Sequence, residues 1–515
     1  MKYNTLLSTI SLSLLIATNI WAQTPTNKKF EANMESLRQY ECPEWFRDAK
    51  FGIWAHWGPQ SVPMHGDWYA RVMYEQHTRN KNRKTTYAHH VKTYGHPSEF
   101  GYKDLIPLWK AEKFNPEELM KLYKKAGAKY FVSMGVHHDN FDLWDSKFNR
   151  WNAVDMGPKR DIVGAWSKAA KKHGLKFGVS EHLSAGYGWW QANKGADIDG
   201  PKAGVPYDGA DPKLWDLYYS KSTAKHESWV TNNGMFAQLW FARMTDLLEN
   251  YEPDLLYSDG ALPFGTYGEE MLANFYNADI EKNKGQLEAV YLAKPARHNK
   301  GWNVFDGETC VEDRERGGLA DISPEPWQTD TSIGDWFYNV NWKNDDTGTM
   351  YRSPFWVLST LIDVVSKNGN MLLNVLQRPD GTVDKEVVEL LETLAAWMDA
   401  NGESIFGSRP WTVYGEGPQE REGAADWKED FDYTPKDIRY TQNKENTFLY
   451  AATMGMPTED IVLKEVTKEA GKVSSVTLLG SNQKIKWKQS SKALVIKLPN
   501  LSACTVIPVF KIEWK

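Results

Sequence analysis

Residues 116–139 read PEELMKLYKKAGAKYFVSMGVHHD and contain one complete structural unit of the chain. Their first part predicts a helix from about Pro116 to Ala126, and the apolar run 130–136 predicts the strand that follows it. His137, His138 and Asp139 come directly after the strand. A helix and a strand that alternate in this way are typical of a parallel sheet with helical crossovers.

The same alternation continues from about residue 48 to residue 400. Further strands are predicted at 51–56, 176–180, 254–258, 289–293, within 302–313, at 327–333 and at 370–375, and further helices at about 161–173 and 239–250. About eight such units in a few hundred residues favour a closed (β/α)₈-type, TIM-like barrel over an open sheet. The fold class predicted for this part is therefore α/β.

After about residue 408 the helical patterns stop and short strands recur. They are predicted at 447–452, 473–479, 493–497 and 505–510, with Gly, Asn and Ser between them. This pattern predicts a C-terminal β-sandwich domain.

The N-terminus resembles a secretory signal peptide. Lys2 supplies a positive charge, residues 6–20 are apolar, and Ala22 offers a small residue at a cleavage position. The apolar run is too short to cross a bilayer, and no later stretch is long and apolar enough. We therefore expect an exported protein, periplasmic or secreted, with a signal peptide at 1–22, a catalytic barrel at 23–408 and a β-sandwich domain at 409–515.

Composition narrows the class of partner. The net charge is −6 and no long basic run is present, so nucleic acid is not expected as a partner. The 24 Trp and 24 Tyr residues exceed what is usual, and aromatic faces suit the C–H patches of sugars, although most of these residues are expected in the core. Cys42, Cys310 and Cys504 match no metal motif.

Polar residues end four consecutive predicted strands. They are His56, the pair His137 and His138, Glu181 with His182, and Asp259. The carboxyl ends of barrel strands meet at one face, so these residues are expected to share a cleft. Side chains of adjacent strand residues point in opposite directions, so His137 and His138 are poorly spaced for one metal ion. Hydrogen bonding to hydroxyl groups is favoured, no metal or other cofactor is expected, and a metal site is the minority alternative.

Other chemistries fit less well than paired carboxylates. The chain lacks Gly-x-Ser-x-Gly, and Gly186-Tyr-Gly188 lacks the rest of a dinucleotide fingerprint. Asp259 ends an apolar strand, and a second acid could come from Glu308, Glu312 or Glu315. Glycosidases use two such carboxylates, about 5–5.5 Å apart when configuration is retained and farther apart when it is inverted.

A family resemblance rests on motifs spread from about Cys42 to Trp411. Among them are EWFRDAKFGIWAHWG at 44–58, WYAR at 68–71, HHD at 137–139, PDLLYSDG at 253–260, WQTDTSI at 327–333 and NGNMLLN at 368–374. In this order they closely resemble glycoside hydrolase family 29, the α-L-fucosidase family.

The resemblance implies a retaining, exo-acting α-L-fucosidase that acts on fucosylated oligosaccharides or glycoconjugates. Asp259 matches the nucleophile, and Glu315 best matches the acid/base, with Glu308 and Glu312 in reserve. An acid that works near neutral pH needs a raised pKa, so a raised pKa is expected for Glu315. The residues that match sugar-binding and pocket-lining positions are His56, Asp67, Trp68, His137, His138 and Trp336.

Several positions depart from the family pattern. Asp67 stands where a glutamate is usual, Asn140 replaces a glycine, and residues 180–182 read Ser-Glu-His instead of a motif that ends in Glu-Trp. Residues 293–295, Ala-Lys-Pro, replace an Asn-Asp-Arg motif, for which Arg314 or Arg316 could compensate. Two alternatives therefore stay open: a glycosidase for a related sugar such as α-L-galactose, and a catalytically idle sugar-binding relative.

Overall fold

The computed structural model describes residues 29–224, 227–295, 302–418 and 433–515. The predicted signal peptide, residues 1–22, lies outside the described residues. None of the described helices is long and apolar enough to cross a membrane. All three cysteines are free thiols.

Eight parallel strands close into a barrel, in which each strand pairs with its neighbours in the chain and the last pairs with the first. Their bounds are β1 Phe51–Ala55, β2 Tyr130–Val136, β3 Lys176–Glu181, β4 Leu255–Ser258, β5 Val290–Ala293, β6 Val311–Glu315, β7 Trp327–Ser332 and β8 Gly369–Asn374. The predicted α/β barrel is confirmed, and every predicted barrel strand overlaps an observed one.

Six long helices of the described residues pack outside the barrel. They are α1 Pro116–Lys125, α2 Ile162–Lys172, α3 Gly234–Tyr251, α4 Thr266–Lys282, α5 Pro354–Ser366 and α6 Lys385–Asn401. No helix lies between β5 and β6 in the described residues 302–310, and none lies between β6 and β7, so the alternation is less regular than predicted. Shorter α-helices are Met34–Leu37, Glu44–Ala49, Tyr69–Val72, Thr86–Thr93, Tyr102–Leu105, Gly186–Trp189 and Trp215–Tyr218.

Local sequence fixes the ends of the helix–strand unit at residues 116–139. Asn115 caps α1 by accepting a hydrogen bond from the amide of Glu118, and Pro116 occupies the first turn. Gly127 follows the helix with a φ of 105°, a conformation that disfavours other residues. The chain then enters β2, whose seven residues are all buried. The carboxyl end of β2, and the histidines after it, therefore lie at one end of the barrel.

The C-terminal part forms two antiparallel sheets. Its strands are β9 Arg409–Glu416, β10 Ile438–Gln442, β11 Phe448–Thr453, β12 Ile461–Leu463, β13 Val473–Leu478, β14 Trp487–Gln489, β15 Leu494–Ile496 and β16 Val509–Trp514. The sheet orders are β9-β10-β11-β16-β13 and β12-β15-β14. Both sheets contribute to one hydrophobic core, which agrees with the predicted sandwich.

One predicted sandwich strand is misplaced. The last strand was expected at 505–510 but spans Val509–Trp514. Pro508 has no amide hydrogen to donate to a neighbouring strand, so regular pairing begins only after it. Beyond it, Phe510 and Ile512 pair with β11 and β13 and are buried.

The barrel and the sandwich are joined by a buried ion cluster and by packing. Asp363 of α5 accepts hydrogen bonds from Lys367 at 2.9 and 3.0 Å and from Arg439 of β10 at 2.6 Å. The Trp397 indole of α6 donates a hydrogen bond to the carbonyl oxygen of Ile507 at 2.8 Å. Sandwich residues such as Val509 belong to the same hydrophobic cluster as the barrel.

Candidate active site

A pocket of about 900 Å³ opens at the carboxyl ends of the barrel strands. This size and position are typical of a small-molecule site in such a barrel. Strands β1 to β7, or the residues directly after them, each contribute to its walls. The lining includes Trp54, His56, Asp67, Trp68, His137, His138, His182, Trp229, Tyr257, Asp259, Lys294, Trp302, Glu315, Asp330 and Trp336.

Asp259 is the first residue after β4, and its amide donates a hydrogen bond to the carbonyl oxygen of Glu181 at 3.0 Å. Its Oδ1 accepts a hydrogen bond from Lys294 Nζ at 2.8 Å, and its Oδ2 lies 3.3 Å from both His138 Nε2 and His182 Nδ1. Burial by itself raises the pKa of Asp259. Lys294, His182 and the hydrogen bonds from His138 and His182 outweigh burial and take the pKa well below its ordinary value. Asp259 is therefore an anion at the pocket floor.

Glu315 ends β6 and faces Asp259 across the ammonium group of Lys294. Lys294 Nζ donates to Glu315 Oε2 at 2.9 Å, and the Trp336 indole donates to Oε1 at 3.2 Å. The Glu315 side chain is 46% exposed, compared with 18% for Asp259, so Glu315 lies at the mouth and Asp259 lies deeper. The structure thus brings the two predicted carboxylates together.

The expected pKa direction for Glu315 was wrong. Lys294 lowers the pKa of Glu315 below its ordinary value and outweighs burial and the charge of Asp259, which both act upward. The prediction failed because it included Asp259 and burial but not the intervening ammonium group.

Lys294 is one of several pocket residues that were not predicted from the sequence, and Tyr257 and Asp330 are others. Lys294 comes directly after β5, in the position where the family motif has another sequence, and its Nζ also lies 3.5 Å from Asp330 Oδ2. Arg314 and Arg316, the expected substitutes, have other contacts. Arg314 pairs with Glu312 at 2.6 Å, and Arg316 lies over the Trp336 ring and donates to the carbonyl oxygen of Gly334.

The reserve acids Glu308 and Glu312 do not line the pocket. The Glu308 side chain is 74% exposed and lies 3.9 Å from Arg38, and Glu312 is held by Arg314. Glu181, singled out beside His182, is fully buried and accepts hydrogen bonds from the Trp240 indole and the Ser184 amide. Its role is to hold the loop after β3.

Four histidines form one wall of the pocket: His56, His137, His138 and His182. Neighbouring ring centroids lie 4.6–5.3 Å apart, and all four side chains are buried. Burial and the other histidines lower the pKa of His56 and His137 well below the ordinary value, so both rings are neutral. Neutral rings offer one donor and one acceptor each, which suits sugar hydroxyl groups. His56 Nδ1 and His182 Nε2 have no hydrogen-bond partner within the described ranges.

The side chains of His137 and His138 do not point in opposite directions, as was predicted, although the two histidines do belong to different groups of closely spaced ligand atoms. β2 ends at Val136, so the strand alternation no longer applies at the two histidines, and both rings face the same pocket. Among the described residues, ligand atoms of His56, His137 and His182 lie within 4.8 Å of one another, and so do those of His138, His182 and Asp259. Spacing alone therefore does not exclude a metal ion.

Asp67 and Trp68 also line the pocket, next to the histidine wall. Asp67 is buried, accepts a hydrogen bond from Arg83 at 3.0 Å and lies 3.7 Å from His137 Nε2. Burial raises the pKa of Asp67 to about 6. Trp68 has a φ of 60° and stacks on Trp229 with ring centroids 5.5 Å apart. Asn140, which replaces the glycine usual in the family, does not line the pocket, and its side-chain amide donates to the carbonyl oxygens of Asp216 and Leu217.

Comparison with known families covers most of the chain. The model of the family described as Alpha-L-fucosidase matches residues 17–403, and that of the Alpha-L-fucosidase C-terminal domain matches residues 431–513. Tissue alpha-L-fucosidase of Rattus norvegicus is 28% identical over 499 residues, which cover 95% of this chain and 93% of that protein. Plasma alpha-L-fucosidase of Homo sapiens is 27% identical over 489 residues, which cover 92% of this chain and 89% of that protein.

Solved structures agree in fold. The crystal structure of Thermotoga maritima alpha-fucosidase in complex with fucose superposes with a TM-score of 0.69 at 28% identity. The match covers 94% of this chain and all of the other.

Proposed function

Because this chain belongs to the α-L-fucosidase family of glycoside hydrolases, we propose that it is an exo-acting α-L-fucosidase that releases terminal α-L-fucosyl residues with retained configuration. The nucleophile is Asp259 and the acid/base is Glu315. The single observation that carries this proposal is that one ammonium group contacts both carboxylates, at 2.8 and 2.9 Å. The two oxygens can be no farther apart than these distances placed end to end, which supports the close spacing of about 5–5.5 Å that a covalent intermediate requires.

The proposed reaction has two displacements. In the first, Asp259 Oδ attacks the anomeric carbon, the glycosidic C–O bond breaks, and protonated Glu315 gives its proton to the leaving oxygen. Because Lys294 lowers the pKa of Glu315, the protonated form predominates only at acid pH, so we expect this step to be fastest on the acid side of neutrality. In the second, water attacks the same carbon, Glu315 takes a proton from it, and the ester bond to Asp259 breaks. The low pKa of Asp259 supports its role as the anionic nucleophile.

The pocket supports recognition of one deoxy-sugar at its closed end. The neutral His56 and His137 and the buried Asp67 offer donors and acceptors to ring hydroxyls, while Trp68 and Trp336 offer apolar faces. His138 contacts Asp259 and so holds the nucleophile next to the sugar. A closed end of this kind favours terminal residues, which is the reason for the exo-acting mode.

Hydrolysis of aryl α-L-fucoside and of fucosylated oligosaccharides tests this function. ¹H NMR of the first product should show α-L-fucose before mutarotation, whereas β-L-fucose would contradict retention. Because Asp67 is one methylene shorter than the usual glutamate, aryl α-L-galactoside belongs in the same panel. A preference for the galactoside would change the assigned sugar but not the mechanism. Sugar binding without hydrolysis of any substrate would contradict the enzyme function and would favour a catalytically idle sugar-binding protein.

We also propose that the protein is exported after cleavage near Ala22. The charge at Lys2 and the apolar run 6–20 support this proposal. Expression of the full chain in a Gram-negative host, followed by fractionation and N-terminal sequencing, tests it. Uncleaved protein in the cytoplasmic fraction would contradict it.

A further inference from the structure

Lys294 contacts three carboxylates at once. The inference drawn from these contacts rests on the proposed function. Its Nζ lies 2.8 Å from Asp259, 2.9 Å from Glu315 and 3.5 Å from Asp330. The Lys294 side chain is only 15% exposed. A lysine ammonium group is a compact point charge with three donors, so it can serve all three acids simultaneously.

A buried network beneath the pocket fixes the position of this ammonium group. Asp330 is fully buried and accepts a hydrogen bond from the Tyr257 hydroxyl at 2.9 Å, and Lys294 Nζ lies 5.6 Å from the Tyr257 ring centroid. Asp313 is buried beside Asp330 and accepts a hydrogen bond from Gln328 at 2.7 Å. Burial, and next the charge of Asp330, raise the pKa of Asp313 well above its ordinary value, so Asp313 carries a proton. Lys294 is thus held from below by Asp330 while it reaches Asp259 and Glu315.

We propose that Lys294 is the positioning residue that sets the charge of the two reacting carboxylates. It stabilises Asp259 as an anion for the first displacement. Once the ester forms, Asp259 is neutral and Lys294 faces Glu315 and Asp330 alone. Its charge then stabilises Glu315 as the carboxylate that takes a proton from water in the second displacement.

Other charged and titratable groups also surround Lys294, Asp259 and Glu315. Among the described residues, those that interact with Lys294 or the two carboxylates include His56 after β1, His137 and His138 after β2, His182 after β3, Tyr257 on β4, Asp313 on β6, Arg316 after β6 and Asp330 on β7. Of these groups, Arg316 lowers the pKa of Glu315 in the same direction as Lys294, but its effect is weaker than that of Lys294. Replacement of Lys294 therefore removes the dominant positive charge.

Replacement of Lys294 by methionine should shift the pH profile of kcat/KM to higher pH. Removal of a positive charge disfavours both ionised carboxylates, so the pKa values of Asp259 and Glu315 both rise. In the pH profile of kcat/KM, the acid limb reports the nucleophile and the basic limb reports the acid/base of the free enzyme. In Lys294→Met both limbs should therefore move to higher pH, by about one unit or more. The optimum kcat/KM should fall by at least about tenfold because the carboxylates lose their common donor.

The experiment compares kcat/KM profiles on aryl α-L-fucoside for wild type, Lys294→Met, Lys294→Arg and a matched control, Lys176→Met. Lys176 begins β3 at the opposite end of the barrel and pairs with Asp254. Lys294→Arg keeps the charge and should hold both limbs within a few tenths of a unit, and Lys176→Met should not move them. Limbs of Lys294→Met that stay in place while kcat falls would overturn the proposal, because a merely structural role predicts that result.

A second measurement is needed if a variant turns over substrate too slowly for a pH profile of kcat/KM. The affinity for free L-fucose, measured by calorimetry across pH on protein shown to be folded by circular dichroism, should move along the pH axis in Lys294→Met in the same direction. An unmoved profile would overturn the role of Lys294. Failure of the wild type to hydrolyse any α-L-fucoside would instead contradict the proposed function, so the two failures are distinguishable.

Discussion

At the scale of single residues, the account depends on Asp259. Asp259→Asn removes the anionic nucleophile, so kcat should fall by about 10³-fold or more. Asp254→Asn is a matched control, because Asp254 precedes the same strand at the opposite end of the barrel. Steady-state kinetics on aryl α-L-fucoside should show the loss only in Asp259→Asn. Equal losses in both variants would point to damage to β4 rather than to loss of a nucleophile.

The acid/base assignment is tested at the same scale. Glu315→Ala should lose about 10²- to 10⁴-fold on natural glycans, and less on an aryl fucoside whose leaving group needs no proton. Azide should partly restore its turnover by attacking the intermediate without general base help. Glu312→Ala on the same strand is the control, since Glu312 pairs with Arg314 outside the pocket. Normal kinetics of Glu315→Ala on both substrates would contradict the assignment.

The sequence predicted the positions of site residues where a strand pattern surrounded them. Asp259 follows an apolar strand and precedes a glycine, so its place at the barrel mouth could be predicted. Lys294 could not, because one lysine after a short strand has the same local pattern as many solvated lysines. The low pKa of Glu315 depends on a lysine 21 residues away in the chain, and such a distance is visible only in three dimensions.

At the scale of elements, the strands were predictable where both faces are buried. β2 and β8 are buried along their whole length. β2 appears in the sequence as a continuous run of apolar or small residues, and β8 has the apolar run Met-Leu-Leu between two asparagines. β6 reads Val-Glu-Asp-Arg-Glu, and its acidic side chains lie in the active site and in the barrel interior. Because the strand has only one apolar residue, its position could be predicted only to within residues 302–313. The sequence missed the sandwich strands Arg409–Glu416, Ile438–Gln442, Ile461–Leu463 and Trp487–Gln489. The last two have only three residues each, which is too short for a clear alternation of apolar and polar residues.

The junction between α5 and β10 gives a stability prediction. Asp363→Ala would leave the buried Arg439 and Lys367 without their common acceptor, so the free energy of unfolding should fall by about 3–5 kcal/mol. The pair Lys385 and Glu389 has the same spacing of four residues on a helix but is exposed. Glu389→Ala should therefore cost less than about 0.5 kcal/mol. Denaturant unfolding measures both, and similar costs would contradict the importance of the buried cluster.

At the scale of the whole molecule, barrel and sandwich share one hydrophobic cluster. We therefore expect a single calorimetric unfolding transition for the chain. A chain that ends at residue 408 should expose the surface around Trp397, which donates to Ile507 in the intact protein, and should be less stable or aggregate. Two separate transitions, with the barrel unaffected by removal of 409–515, would contradict this coupling.

The central claim is that Asp259 forms a covalent glycosyl ester at the mouth of this barrel. A 2-deoxy-2-fluoro-α-L-fucosyl fluoride tests it most directly, because the ring fluorine slows hydrolysis of the intermediate while the good leaving group allows it to form. Mass spectrometry of the treated protein, followed by peptide mapping, should find one fluorofucosyl adduct on Asp259. An adduct on another residue, or no adduct from enzyme that hydrolyses α-L-fucosides, would contradict the account.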